Sequence, residues 1–328
     1  MIKLATIGTS AIVDNFLAGV KLTGEFILTA VYSRNLITGK EFALKHGCDK
    51  VFTNLEEMAK SDIDAVYIAS PNVFHSQQSR LFLENGVHVI CEKPIVTNAE
   101  DYKQLKALAD SKSLIFMEAI IPRHTQQYSA VKAALSRIGK IALARIDFCQ
   151  RSSRLDAFLR GENMNIFNMS LHAGTLMDLG VYCVYGAVDL LGMPNDISAR
   201  SSLLKNGADG SGAAIFSYAD FTAALTYSKT GKAEFGSEII GEKGTLKISM
   251  ISQYSGVVLV ENGAETQIVA FPDKAHLMSG EAQRFADYIL RYEENRKDYE
   301  KASTLCLNVH TCMDKIKQIA GLIYPTMQ

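Results

Sequence analysis

Nothing in the charge of this chain marks it for a polyanion. Its 34 Lys and Arg against 35 Asp and Glu leave a formal net charge of −1 over 328 residues, without the basic excess that recognition of nucleic-acid phosphates requires. Cysteine is sparse and scattered, with six at positions 48, 91, 149, 183, 306 and 312. No C-x-x-C pair and no His/Cys cluster has zinc spacing, so no metal site is expected, and reduced thiols in a cytoplasmic protein are the economical reading. No long apolar run opens the chain: Met1 to Ile7 reaches Gly8 too soon for a signal-peptide core or a membrane span. It reads as a first strand, with neither membrane nor nucleic acid as partner. No internal repeat and no low-complexity linker interrupts the chain, and its length suggests two domains.

What is present begins with alternation. Ile2 to Ile7 runs into Gly8-Thr9-Ser10-Ala11-Ile12-Val13, after which Phe16, Leu17 and Val20 fall at helical spacing. This strand, glycine turn and helix approximate a dinucleotide fingerprint, with Gly8 in the first glycine position, Ser10 in the second and Val13 in the third. An ordinary strand-to-helix turn fits the same residues equally well. Phe26 to Tyr32 is the next strand, and Ser33-Arg34 follows it where an NAD-binding chain tends to carry an acid for the ribose 2′-OH. A serine and an arginine suit a 2′-phosphate instead, which favours NADP(H) with NAD(H) possible; a solvated helix start is the alternative for Arg34. Asp64 to Ala69 is a further buried strand, ending in Ser70-Pro71-Asn72 before a helix with His75 in its first turn. There a neutral imidazole is favoured.

His88 to Cys91 is a short apolar run that stops at Glu92-Lys93-Pro94. Proline ends the strand, and a lysine delivered at the carboxyl end of a parallel strand stands where open α/β sheets bind ligands. On its own it is equally a solvated lysine. Ala99 to Lys112 reads as a helix and Leu114 to Ala119 as a strand, which completes a parallel sheet through residue 121.

Past Pro122 the pattern changes. Gln126 to Ile138 looks helical, while Ile141 to Cys149 alternates in the manner of a half-exposed strand. Asp196 to Leu204, Ala213 to Tyr227, Glu234 to Met250 with a hairpin at Gly241-Glu242-Lys243-Gly244, Val257 to Glu261 and Thr266 to Ala270 complete a largely antiparallel set. Helices over Gly280 to Asn295 and Ala302 to Ile323 close the chain. Between these strands Ala173 to Gly186, read as a helix, places Gly174, Asp178, Tyr182 and Gly186 on one stripe. An ionised Asp178 among apolar neighbours needs a partner; a core helix with a capping Asp178 and a packing Tyr182 is the plainer alternative. The fold expected is α/β: a Rossmann parallel sheet over 1–121, then an α/β substrate and oligomerisation domain with an open, largely antiparallel sheet over 122–328.

Taken in order, these residues resemble the Gfo/Idh/MocA oxidoreductases. The resemblance rests on Gly8 to Val13, Ser70-Pro71-Asn72-Val73-Phe74-His75, Glu92-Lys93-Pro94, Met117-Glu118-Ala119, Asp178-Leu179-Gly180-Val181-Tyr182 and Gly241 to Leu246. It implies hydride transfer between nicotinamide and a secondary alcohol or carbonyl of a sugar, polyol or dihydrodiol. Gly8 to Ile12, Ser33, Arg34, Ser70, Pro71, Asn72, His75, Glu92 and Lys93 are then the cofactor-binding set. Lys93, Tyr182 and Asp178 are the catalytic set, with Arg123 and His172 added on the substrate side. Arg123 is equally readable as a salt-bridged surface residue, and His172 as a helix cap. The resemblance also implies a cis Lys93–Pro94 bond and homodimers or larger homo-oligomers through the second sheet. Tyr182, where many members have histidine, points towards sugar or diol chemistry and away from inositol dehydrogenase. Tyr182 is the expected proton-transfer group, Lys93 the cation that supports it, and Asp178 the group that orients Lys93 or the substrate. An NAD-dependent glycosidase and a non-catalytic nucleotide-sensing regulator are the alternatives on the same fold.

Overall fold

A computed structural model describes residues 1–272 and 277–325. The chain forms two compact units, Met1–His124 with Asp273–Thr304, and Thr125–Pro272 with Leu305–Gln328.

The first unit is built on six parallel strands, β1 (Ile2–Ile7), β2 (Phe26–Tyr32), β3 (Val51–Phe52), β4 (Ala65–Ile68), β5 (His88–Glu92) and β6 (Phe116–Ala119), in the order β3-β2-β1-β4-β5-β6. Their apolar runs are explained by burial on both faces: every residue of β4 is 0% exposed. Strand order reverses between β1 and β4, and the crevice beyond their carboxyl ends is the ligand position of doubly wound sheets. The helix Ala11–Thr23 leaves β1 through Gly8 and Ser10. On it lies the helix Ser279–Leu290, so close that a Cβ on Gly19 would stand 2.7 Å from the main chain of Met278. Phe285 stacks on Phe26 with ring centroids 6.2 Å apart. The division at 121/122 drawn from sequence thus leaves with the second half a helix that completes the core of the first unit. An amphipathic helix shows which face is buried but not which sheet receives it.

The second unit holds eight strands: β7 (Ile141–Cys149), β8 (Asp196–Leu203), β9 (Asp209–Ser217), β10 (Thr222–Ser228), β11 (Ser237–Gly241), β12 (Thr245–Met250), β13 (Ser255–Glu261) and β14 (Ala264–Val269). They form an open sheet in the order β14-β13-β12-β11-β7-β10-β9-β8. Among the described residues β7 and β10 pair parallel, the other neighbours antiparallel. The single strand expected over Ala213 to Tyr227 is two strands joined at Tyr218–Phe221, whose rings stack 4.3 Å apart. Aromatic residues in place of Gly or Pro conceal that turn. The closing helices also differ from expectation: they span Ser279–Leu290 and Tyr292–Ala320, with the break at Arg291. Met169–Leu191 is long and apolar enough to cross a membrane by composition, yet 78% of its apolar window is buried inside the fold, as in a core helix.

The first unit's initial segment ends in a short helix, Ile121–His124. Burial, with the neighbouring Arg123 charge, pulls the His124 imidazole down to about 3. The folded chain therefore holds it neutral, whereas the unfolded chain protonates it below about pH 6.5. Its contribution to stability is complete above that pH and is lost as pH falls toward the folded value. Between pH 8 and pH 5 the loss is on the order of 2 kcal/mol. Urea midpoints at the two pH values should separate less in His124→Gln than in the parent chain; an identical separation would refute this assignment.

Candidate active site

In the first unit a cleft of about 760 Å3 opens beyond β1 and β4. Gly8, Thr9 and Ser10 form one wall, Ser33 and Arg34 the end of β2, and Ser70 and Pro71 the opposite lip. Gly8 has φ +111°, and a Cβ there would stand 3.0 Å from the Ala69 carbonyl oxygen, so this turn favours glycine on two counts. Ser10 occupies the N-cap of Ala11–Thr23 without spending its side chain on a cap, which leaves the hydroxyl and the helix N-terminus to an anion. No carboxylate ends β2: Tyr32, Ser33 and Arg34 stand there and line the cleft. These features fit a dinucleotide whose ribose carries a phosphate.

The cleft also uses residues that the sequence reading passed over. Phe74, Gln77, Gln78, Leu81 and Glu84 line it from one face of the segment Asn72–Glu84, joined by Arg80, and Asn35, Thr38 and Glu56 approach from beyond β2. Their three- and four-residue spacing was the available signal. Ala11, Ile12, Asn72, His75, Glu92 and Lys93 are not among the residues lining this cleft.

His75 has a different place. It is 1% exposed, with Nδ1 2.8 Å from the Pro94 carbonyl oxygen and Nε2 2.8 Å from that of Ser70. Burial lowers its proton affinity, although both carbonyls favour a charged ring. The side chain braces the loop after β4 against the one after β5. The strand before that second loop ends with Glu92, whose carboxylate accepts the Tyr67 hydroxyl at 2.5 Å. Burial raises the Glu92 carboxyl, while the Tyr67 hydrogen bond and the Lys93 charge oppose the rise. The Lys93–Pro94 peptide is cis. Next in the loop, the Ile95 N–H donates to Glu118 at 2.9 Å. Arg123, expected on the substrate side, is 7% exposed and pairs with Asp298 at 2.6 Å, and Tyr288 donates to the other oxygen of that carboxylate at 2.7 Å. A guanidinium so enclosed serves the unit's own packing.

In the second unit the expected continuous helix through Gly174 to Gly186 is divided. Leu176–Gly180 is a π-helical turn, and the α-helix runs only over Val181–Leu191. Gly174 lies outside both, at φ +144°, where a Cβ would be 2.0 Å from Asp209 Oδ1. Asp209, 0% exposed, accepts the Leu176 N–H through Oδ2 at 2.6 Å and so starts the turn. Burial pushes its carboxyl up to about 6 against the pull of the Leu176 N–H and the Lys229 charge. Asp178 projects from the π turn and pairs with Lys229, Nζ to Oδ2 2.7 Å. Tyr182 lies in the first turn of the following helix, edge-on to Phe148 at 5.7 Å between centroids. His172 has φ 51°, sets Nε2 2.9 Å from the Pro325 carbonyl oxygen, and leans on the Tyr324 ring. It engages the C-terminal segment. Lys229 was not singled out in the sequence, because it follows a strand of the largely antiparallel set, where no ligand position is tied to strand ends.

A glycine turn and a helix start ready for phosphate are the features of a dinucleotide-binding unit. Comparison with known proteins agrees. Residues 2–120 match the model of the oxidoreductase family with an NAD-binding Rossmann fold, and residues 128–247 match the GFO/IDH/MocA C-terminal domain. The chain is 38% identical to the scyllo-inositol 2-dehydrogenase (NADP(+)) IolU of Bacillus subtilis, covering 100% of both. It is 28% identical to the trans-1,2-dihydrobenzene-1,2-diol dehydrogenase of Xenopus tropicalis over 91% of each. The structure of the 3-ketoreductase KijD10 of Actinomadura kijaniata, solved with NADP and TDP-benzene, superposes with a TM-score of 0.83 over 97% of this chain and 98% of that one, at 23% identity; at that identity it speaks for the fold alone. Beside the expectation that Tyr182 leads away from inositol dehydrogenases stands a 38% identical relative that is itself a scyllo-inositol 2-dehydrogenase. By both of its domain matches and by its full-length relatives, the chain belongs to the GFO/IDH/MocA family of oxidoreductases.

Proposed function

We propose that the chain is a cytoplasmic NADP(H)-dependent dehydrogenase that interconverts a secondary alcohol and a ketone on a polyhydroxylated ring, an inositol or a sugar. The observation that carries this reading is the cleft end where Ser33 and Arg34, rather than an acid, follow β2. The NADP-linked polyol activity named for the 38% identical relative supports it. When bound, NADP+ is the hydride acceptor. Tyr182 takes the hydroxyl proton as the alcohol is oxidised and returns it in reduction. A free phenol has a pKa near ~10, so it needs a cation to act as base at neutral pH. Lys93 has that role, and it stabilises the negative charge developing on the substrate oxygen. Asp178, held by Lys229, offers a hydrogen-bond acceptor to a ring hydroxyl.

Cofactor choice and chemistry separate in experiment. Arg34→Ala should weaken NADPH binding by about 10- to 100-fold, the worth of a charge-assisted contact, and leave NADH binding unchanged in fluorescence titrations. Equal losses for both cofactors would remove Arg34 from the phosphate site. Tyr182→Phe and Lys93→Ala should each lower kcat for scyllo-inositol or sugar oxidation by about 100- to 10,000-fold with NADPH affinity retained. Near-parental turnover in both variants would rule out the assignment.

The second sheet supports a further part of the reading, a homo-oligomer. Leu143 and Ile215 are 38% and 42% exposed, on β7 and β9, which flank β10, and both lie on the face opposite the helix Val181–Leu191. The cross-strand ion pair Arg145–Glu238 lies on the same face. A second copy covering this face buries those side chains. Leu143→Glu with Ile215→Glu should shift the mass measured by light scattering from dimer or higher to monomer. An unchanged mass would place any oligomer contact elsewhere.

A further inference from the structure

Asp178 and Lys229 differ sharply in exposure. The lysine side chain is 4% exposed and the aspartate side chain 41%. Lys229 directly follows β10, and its main chain is held on both sides: its N–H donates to Gly210 and its carbonyl accepts from Ser152, each at 2.9 Å. Its Nζ stands 2.7 Å from Asp178 Oδ2 and 3.2 Å from the Ile166 carbonyl oxygen, and 5.5 Å from the centroid of the Phe167 ring, itself 0% exposed. An ammonium withdrawn from water in this way needs an anion. Here the carbonyl and the ring face supply part of the compensation, and the carboxylate supplies the charge. The geometry is one-sided: the buried partner is the anchor, and the half-exposed partner is what a ligand can meet.

From this we infer that Lys229 is a positioning residue for the reaction: it fixes the direction of the Asp178 carboxylate and keeps it ionised, so that Asp178 receives a substrate hydroxyl as a hydrogen-bond acceptor and leaves proton transfer to Tyr182. The inference rests on the function proposed above, which assigns Asp178 and Tyr182 to the substrate. It adds a residue on a different element, 51 positions from Asp178 in the chain. It also separates the roles of two residues that stand one turn apart. The other acid near Lys229 is Asp209 on β9, which shares the lysine's field while its Oδ2 is held by the Leu176 N–H. The hydroxyls of Tyr227 and Tyr324 lie on the same side and feel the Asp209 charge.

The test uses the full chain labelled with carboxyl-13C aspartate, in which the Asp178 signal is assigned by its loss in Asp178→Asn and that of Asp209 by its loss in Asp209→Asn. Lys229→Met removes the charge and the donor; Lys229→Gln keeps an amide in reach of the Ile166 carbonyl and removes only the charge. In both, the Asp178 titration should move up by about one to three pH units. The acid limb of kcat/KM for polyol oxidation should move with it, and NADPH affinity should stay constant. Lys229→Arg should restore both readouts, and Lys229→Met should add little to the loss already caused by Asp178→Asn. An unchanged Asp178 titration in the charge-removing variants overturns the inference. So does an unchanged acid limb with only a lowered melting temperature, because that is the mark of a purely structural pair. If the parent chain turns over no polyol or sugar, the proposed function fails, and the 13C titration still decides whether Lys229 governs Asp178.

Discussion

The second unit's chemistry hangs on one buried carboxylate. Asp209 holds the Leu176 N–H at the point where the chain enters its π turn, and the approach is so close that Gly174 has no room for a Cβ. A carboxylate without solvent is costly to keep charged, and burial does push its proton affinity up. The main-chain donor and the nearby lysine counter that tendency. The widened turn that follows sets Asp178 beside Lys229, and Tyr182 follows on regular helix. π-helical turns are uncommon and recur at functional sites, because a wider turn re-aims side chains that a regular helix would stack. Here it interrupts the four-residue stripe of Gly174, Asp178, Tyr182 and Gly186, so that Asp178 stands on the π turn and Tyr182 on the helix after it.

Much of the architecture was legible from periodicity. Strands β1, β2 and β7 have the bounds their apolar runs indicate, and the hairpin at Gly241 to Gly244 separates β11 from β12. The nucleotide turn was legible as well, because Gly8, Ser10, Ser33 and Arg34 are local signals tied to strand ends. What was not legible depends on distant partners. Arg123 is enclosed by Asp298 from a helix late in the chain, and Lys229 finds Asp178 across two elements. The helix Ser279–Leu290 returns to the first unit because its Phe285 meets Phe26. In each case residue type and spacing specify a face or a charge, and only tertiary packing specifies the recipient.

In the first unit, acids stand in low-solvent positions at the end of β5, the strand that leads into Lys93. Glu281, 1% exposed, has no hydrogen-bond partner for either oxygen, and burial first, then the charge of Glu92, raises its carboxyl well above the ordinary range. Burial raises the Glu92 carboxyl as well, while the Tyr67 hydroxyl and Lys93 favour its charged form.

His75 has a consequence of another kind. An imidazole ring is rigid, so its two nitrogens, set against the carbonyls of Ser70 and Pro94, act as a spacer of fixed width between two loops. Ser70 is on the lip of the cofactor cleft, and Pro94 follows Lys93. The loops cannot shift independently without breaking one of these contacts. The ring is thus a mechanical link between the lip of the cleft and the loop that carries Lys93.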